Sequence, residues 1–416
     1  MSKKAVVFHL GCKVNRYESD RILADLRAAG YEVSETMGYA DLYIVNTCAV
    51  TAEAERKSRQ VLSRFRRFNP DAPIMVTGCA AQKNPAFFEN SNVSYLGGTA
   101  GKAELARHIG TRYREDLTLP RQYEDSATVA RGNRTRSFLK VQDGCDRYCS
   151  YCVIPYLRGP SRSRPIANAV EEFERLAESS EEIVITGINL SRYGSDTGES
   201  LARLIRALGQ FDVRVRLGSF YVEGVDAELL DALFGLKRFC PHFHLSLQHG
   251  DDEVLRSMNR KYTAEQYAEK VDLIRSYDRL ATMTTDFIVG YPTETEEAFE
   301  RGKAFLQEIG FADVHIFPFS PREGTAAAKL KTLSQDVVKA RVKELEPLKQ
   351  SLKSRYLQQL IGVRQEVLFE EDKGDGTREG YGRYYVRCRA QTDRNIAWMQ
   401  ATAVNGEILQ GEIVYE

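Results

Sequence analysis

Apolar positions along the first part of the chain alternate between two registers. Residues 5–10, 42–46 and 74–77 are short apolar runs of the kind a fully buried strand needs. Residues 19–29 and 53–68 carry apolar side chains at helical spacing, closed by Gly30 and by Asn69-Pro70. Strand–helix–strand alternation predicts a parallel sheet with helices on both faces. A polar, Arg-rich stretch over 111–135 reads as a linker. A second series follows, with strands expected at 137–142, 183–186, 213–217, 242–247, 282–289 and 314–317. Helices are expected between them at 167–177, 201–208, 264–276 and 294–309. Six such units are too few for a closed eight-stranded barrel and fit an open, partial one. Residues 334–360 form a long charged helix, after which the apolar runs shorten to 365–370, 384–390, 397–404 and 412–415. Turns such as Gly374-Asp375-Gly376 and Asn405-Gly406 separate them, the pattern of a small all-β barrel. The expected fold class is α/β multidomain, with boundaries at 1–125, 131–360 and 361–416.

Chemistry enters where these strands end. The three N-terminal strands each run into a cysteine: His9-Leu10-Gly11-Cys12, Val45-Asn46-Thr47-Cys48 and Val76-Thr77-Gly78-Cys79. The carboxyl ends of parallel strands share one edge, where ligands bind, so three residues distant in sequence converge. Buried thiols are the bland alternative, since free cysteine is among the most buried residue types. Core cysteines, however, have no reason to recur at the same point of three successive units.

The chain has 416 residues and eight cysteines. No apolar run approaches the roughly 20 residues that span a bilayer. The start, Met1-Ser2-Lys3-Lys4, is followed by too short an apolar stretch for a signal peptide. The expectation is a cytoplasmic protein with no membrane partner, in which cysteines serve metal binding or catalysis rather than disulfides. Lys+Arg and Asp+Glu balance at 58 each, so any nucleic-acid role rests on local patches.

Cys145-Asp146-Arg147-Tyr148-Cys149-Ser150-Tyr151-Cys152 follows a strand directly, a spacing that wraps three thiolates around one cubane. A [4Fe–4S] cluster usually takes four cysteines, so three leave one iron open. Structural zinc would want a fourth nearby ligand, and the next cysteine is Cys240. Cys240 and Cys388 read as buried thiols, and Trp398 as core.

This triplet resembles the radical-SAM superfamily, and with the N-terminal trio and the terminal β-barrel the whole chain is similar to the methylthiotransferases. Leu10-Gly11-Cys12-Lys13-Val14-Asn15 resembles the opening of the branch acting on threonylcarbamoyl-adenosine in tRNA. Asn46-Thr47-Cys48, Gly78-Cys79-Ala80-Ala81-Gln82, Tyr151-Cys152-Val153-Ile154-Pro155 and the stretches from Arg158 to Arg164, Asp286 to Pro292 and Phe319 to Thr325 are similar to family signatures. The resemblance implies an N-terminal domain, a partial (βα)6 radical-SAM barrel and a TRAM-type barrel. It implies that Cys145, Cys149 and Cys152 hold a [4Fe–4S] cluster that cleaves S-adenosylmethionine. Cys12, Cys48 and Cys79 would hold an auxiliary [4Fe–4S] cluster that carries sulfur. An adenine C–H is too weakly acidic for a side-chain base, so no protein acid or base is expected to be catalytic, and the cofactors carry the hard chemistry.

Tyr151, Gly187, Asn189, Gln248 and Asp286 are candidates to contact S-adenosylmethionine, each with a capping or turn role as the alternative. Gln248-His249-Gly250 and the stretch from Leu217 to Glu223 depart from the usual family pattern, and His249 is either a substrate contact or a hydrogen-bonded turn residue. The expected partners are a tRNA anticodon stem-loop and a reducing electron donor. Arg158, Arg162 and Arg164 after the cluster loop are candidate RNA contacts. So are Arg383, Arg387 and Arg389 in the barrel, interleaved with Tyr381, Tyr384 and Tyr385. Arg56, Lys57, Arg59, Arg64, Arg66 and Arg67 crowd one helix, as either an RNA face or a solvated one. Alternatives are a methylthiotransferase for prenyl-adenosine tRNA or a ribosomal-protein aspartate, and a non-catalytic metal-containing RNA-binding protein.

Overall fold

The short apolar runs become strands because every residue of two of them is buried on both faces. In the computed structural model, which describes residues 3–89, 92–126, 128–130 and 135–415, β1 (Lys4–His9), β2 (Glu32–Ser34), β3 (Leu42–Thr47), β4 (Ile74–Gly78), β5 (Val93–Leu96) and β6 (Tyr113–Arg114) form one sheet in the order β2-β1-β3-β4-β5-β6. All pairs are parallel. Alternate residues feed two cores. Val6, Tyr43, Val45, Ile74 and Val76 pack with Val61, Leu62 and Phe65, while Ala5, Val7, Leu42, Ile44 and Met75 pack with Ile22, Leu23 and Leu26. Each Val, Leu, Ile, Met or Phe among them contributes about 1.5–3 kcal/mol on full burial.

The helices supplying those partners are α1 (Lys13–Ala28) and α2 (Ala52–Phe68), with the short α3 (Cys79–Lys83) after β4. α1 begins at Lys13, earlier than the apolar spacing predicts, because its first turns bury the polar Asn15, Arg16 and Glu18 alongside Val14 and Tyr17. The expected linker is partly ordered into this sheet: Tyr113 and Arg114 pair with Tyr95 and Leu96, and Tyr123 Oη donates to Lys140 O at 2.6 Å. Residues 127 and 131–134 of that stretch lie outside the described residues.

The chain divides into two units, one of residues 1–200 with 320–328, the other of 201–319 with 329–416. The first also holds β7 (Arg136–Asp143), α4 (Ile154–Arg158), β8 (Arg162–Ser163), α5 (Ile166–Ala177) and β9 (Glu182–Gly187). β7 runs parallel to β9 and antiparallel to β8.

The second unit contains α6 (Leu201–Leu208), β10 (Arg214–Leu217), α7 (Ala227–Phe234), β11 (His242–His244), α8 (Asp252–Ser257), α9 (Ala264–Tyr277), β12 (Thr282–Val289), α10 (Glu296–Ile309), β13 (Asp313–Pro318) and α11 (Gln335–Gln359). β11, β12 and β13 pair in parallel. β11 stops at His244, short of the expected 247: beyond it Leu245 and Gln248 make only single bridges, to Phe220 and Phe287, the latter with Gln248 at φ +75°. The chain ends in a closed barrel, β14 (Arg364–Asp372), β15 (Thr377–Gly382), β16 (Arg387–Gln391), β17 (Ile396–Asn405) and β18 (Ile408–Val414), in the order β14-β15-β16-β18-β17. The sequence reading misses β15, whose two glycines mask the alternation. It also starts the next strand too early: Tyr385 lies at φ +56°, in the turn between β15 and β16. Among the described residues no helix is long and apolar enough to cross a membrane.

Candidate metal centre

β1, β3 and β4 are neighbours in the sheet, and each delivers a cysteine beyond its carboxyl end. Cys12 is the N-cap of α1, Cys48 follows β3, and Cys79 opens α3. Hydrogen bonds hold these loops together. Asn15 Nδ2 donates to Leu10 O (2.8 Å) and Thr47 O (3.0 Å), Cys48 N donates to Ser58 Oγ (3.1 Å), and Thr47 Oγ1 accepts from Ala80 N and Ala81 N, both at 3.2 Å. Gly11 sits at φ +98°, and a Cβ there would stand 2.6 Å from Cys48 Sγ, so the first two cysteine loops are in contact. Cys48 and Cys79 are buried while Cys12 is exposed. Burial pushes the Cys48 thiol up to about 12, and the neighbouring Cys79 adds to it. The structure therefore brings the three N-terminal cysteines into one electrostatic neighbourhood.

The triplet is built after β7. Cys145 N donates to Gly159 O (3.0 Å) and Cys152 N to Cys149 O (2.9 Å), curling the loop on itself. Gly144, at φ +73°, admits Pro160 O where a Cβ would lie 1.9 Å from it. Cys145 and Cys149 are buried and Cys152 is half-buried. Burial raises the Cys145 thiol, and Cys149 raises it further. Among the described residues no three His, Cys, Asp or Glu side chains close around a single ion. A cubane asks for something looser, because each thiolate binds a different iron. All-thiol donor sets of three suit that group, with one iron left for a non-protein ligand.

Of the candidates for S-adenosylmethionine, Asn189 is fully buried beside the triplet, its Nδ2 3.6 Å from Cys145 Sγ and its N donating to Gln142 Oε1 at 2.7 Å. Gly187 ends β9 against Gln142, where a Cβ would meet Oε1 at 2.9 Å. Tyr151 is half-buried within the loop itself. Gln248 and Asp286 belong to the second unit, where they meet: Gln248 N donates to Asp286 O at 2.9 Å. The Asp286 carboxylate lies 3.4 Å from His244 Nε2. His249 is fully buried, its Nε2 3.2 Å from Glu294 Oε2 and its Nδ1 accepting from Asp251 N, so the turn reading holds over the substrate one.

The RNA expectation needs correction at three arginines. Arg158, Arg162 and Arg164 are at most 3% exposed. Arg158 and Arg162 face Asp143, and Arg164 pairs with Asp125 and Glu172, so none presents a guanidinium to phosphate. Arg383, Arg387 and Arg389 are half-exposed, the second bonded to Glu371 (2.6 Å) and the third to Asp375 (2.5 Å). On α2, Arg56, Lys57, Arg59, Arg64 and Arg67 are exposed. Sequence reasoning also missed buried Glu18, Lys102, Lys140 and Asp143, because charged residues read as surface.

Comparison with known proteins matches residues 139–306 to the Radical SAM superfamily and residues 4–96 to the uncharacterized protein family UPF0004. The chain is 39% identical over 386 residues to the threonylcarbamoyladenosine tRNA methylthiotransferase MtaB of Thermotoga maritima, covering 91% of this chain and 89% of the relative. It is 34% identical to MtaB of Bacillus subtilis, over 92% of this chain and 89% of that one. Its identity to the tRNA-2-methylthio-N(6)-dimethylallyladenosine synthase of Thermodesulfovibrio yellowstonii is likewise 34%, with 97% of each covered. Among solved structures, the radical S-adenosylmethionine methyltransferase TsrM of Kitasatospora setae, with cobalamin and a [4Fe-4S] cluster bound, shares the fold at a TM-score of 0.57. Its identity is 17%, with 91% of this chain and 81% of that one covered.

Proposed function

The chain belongs to the radical-SAM methylthiotransferase family, and from that membership we propose that it converts N6-threonylcarbamoyladenosine at position 37 of tRNA to its 2-methylthio derivative. The observation that carries this reading is the pair of three-cysteine sets in one unit, one behind adjacent parallel strands and one in the loop after β7. Cys145, Cys149 and Cys152 would hold the cluster of the radical-SAM fold, and Cys12, Cys48 and Cys79 an auxiliary [4Fe–4S] cluster. When bound, these groups supply reductive cleavage of S-adenosylmethionine and a sulfur-carrying iron.

The protein's own contribution is orientation. Asn189 keeps its amide at the first thiolate of the triplet, and the Gly187 turn brings backbone close behind it. We assign Tyr151, Gly187 and Asn189 of the first unit to S-adenosylmethionine, and the barrel arginines Arg383, Arg387 and Arg389 to the anticodon stem-loop. The working domain boundaries are 1–125, 131–360 and 361–416, and the setting is the cytoplasm, where a reducing electron donor is at hand.

Nucleoside mass spectrometry of tRNA from cells lacking the protein tests the substrate. Methylthio-threonylcarbamoyladenosine should vanish while its unmodified precursor accumulates. The 34% identity to a dimethylallyladenosine synthase, against 39% to MtaB, gives the dimethylallyl-adenosine substrate a standing as second reading, and loss of its methylthio form instead would select it. A non-catalytic metal protein would leave both unchanged and would take up far fewer than about eight irons on anaerobic reconstitution.

A further inference from the structure

Arg158 has no exposed surface, yet it ties the two cysteine sets together. Its Nη1 donates to Glu18 Oε1 and Asp143 Oδ1, both at 2.9 Å, and its Nη2 to Asn15 Oδ1 at 2.7 Å and Glu18 Oε2 at 3.2 Å. Asn15 and Glu18 lie on the helix that Cys12 caps, and Asp143 ends the strand leading to Cys145. Arg158 itself closes the helix that follows Cys152. Lys140 Nζ reaches Asp143 at 3.0 Å and Glu18 at 3.4 Å. Lys102 pairs with Glu18 and reaches Asn46 Oδ1, just upstream of Cys48, at 3.3 Å. Arg162 stands 3.6 Å from Asp143.

Four cations thus surround two carboxylates, and all six groups are at most 5% exposed. Burying a surplus of positive charge is costly unless an anion answers it. Beyond Glu115, which feels the Lys102 charge, the N-terminal cysteine set is the anion-forming group tied to these cations. Arg158 reaches the N-terminal loops through Asn15, whose amide also holds Leu10 O and Thr47 O beside Cys12 and Cys48, and Lys102 reaches them through Asn46. Toward the triplet the same cations are met by the Asp143 carboxylate, two residues before Cys145.

Resting on the two-cluster reading, we propose that Arg158 is a positioning residue whose buried surplus of positive charge is the counter-charge of the auxiliary cluster and sets its redox potential. A nearby cation stabilises the more negative, reduced state of a cluster, so it raises the potential, while a nearby carboxylate lowers it.

The test isolates each cluster in the full-length protein, with Cys145, Cys149 and Cys152 changed to Ala in one background and Cys12, Cys48 and Cys79 in the other. Anaerobic reconstitution is followed by redox titration monitored by electron paramagnetic resonance. In the auxiliary-only background Arg158→Gln should move the midpoint to more negative potential, Glu18→Gln to more positive, and Arg158→Lys should stay near the parent. In the other background the midpoints should hold. Should Arg158→Gln fail to fold, the opposite sign at Glu18→Gln still decides. Iron-loaded variants with no shift, shifts of one sign, or equal shifts in both backgrounds overturn the proposal alone. An auxiliary-only protein that takes up no iron overturns the two-cluster reading and this proposal with it.

Discussion

Gly11 shows how little room the first cysteine loop leaves. Its φ of +98° and the 2.6 Å separation between a built Cβ and Cys48 Sγ make Gly11→Ala strained twice over. On the two-cluster reading this variant should keep its fold by circular dichroism and lose about half of about eight irons on reconstitution. Retention of the full complement would mean that the loop relaxes without consequence. Gly144→Ala should instead deplete the triplet, since its Cβ would enter Pro160 O at 1.9 Å. The ligand candidates themselves were legible in the sequence, because cysteines at successive strand ends are unusual in both type and place. Their surroundings were not. Glu18, Lys102, Lys140 and Asp143 carry charge at positions where no pattern of polarity distinguishes a solvated side chain from one buried against its counter-ion. The arginines after the triplet misled for the same reason, their number resembling an RNA face when each was already paired inside.

Elements followed the apolar pattern wherever burial was apolar. β12 and α6 fall at the expected residues, and α2, α5 and α9 within a residue or so. α1 began early and β15 went unseen, since polar burial in one and glycines in the other erase periodicity. Caps explain several of the sharp starts: Asp226, Asp251, Thr263, Thr295 and Ser334 each accept a backbone N–H of their own helix. Thr263 goes further, forming a reciprocal pair with Gln266. Thr263→Ala should therefore cost about 1 kcal/mol of stability in denaturant titration, with little change in the slope. A loss well under that figure would mean that the box adds nothing to α9 beyond its packing.

At the scale of the whole molecule, the zero net charge concealed a strongly uneven interior. Although burial works the other way, Arg158, Lys102 and Lys140 hold the Glu18 carboxyl well below the usual range, and Arg158 and Lys140 do the same for Asp143. Arg322 and Lys83 lower Glu55. A carboxyl bound more weakly by protons in the folded state stabilises it above its unfolded value, about 4, and loses that contribution as pH falls through the folded value. Stability should thus be level near neutrality and decline below about pH 4, and Glu18→Gln should flatten that acid limb. An unaltered limb would assign the acid sensitivity to other carboxylates. The order β1-β3-β4 has one more outcome. Hydrogen-bonded strands lie about 4.8 Å apart, so the backbone ladder is a ruler that fixes the spacing of the three N-terminal thiols independently of the loops between them. A change of length in the turns at 35–41 or 69–73 therefore leaves the gauge untouched. One residue inserted inside β1, between Phe8 and His9, would advance the following chain by about 3.3 Å and should abolish iron uptake there.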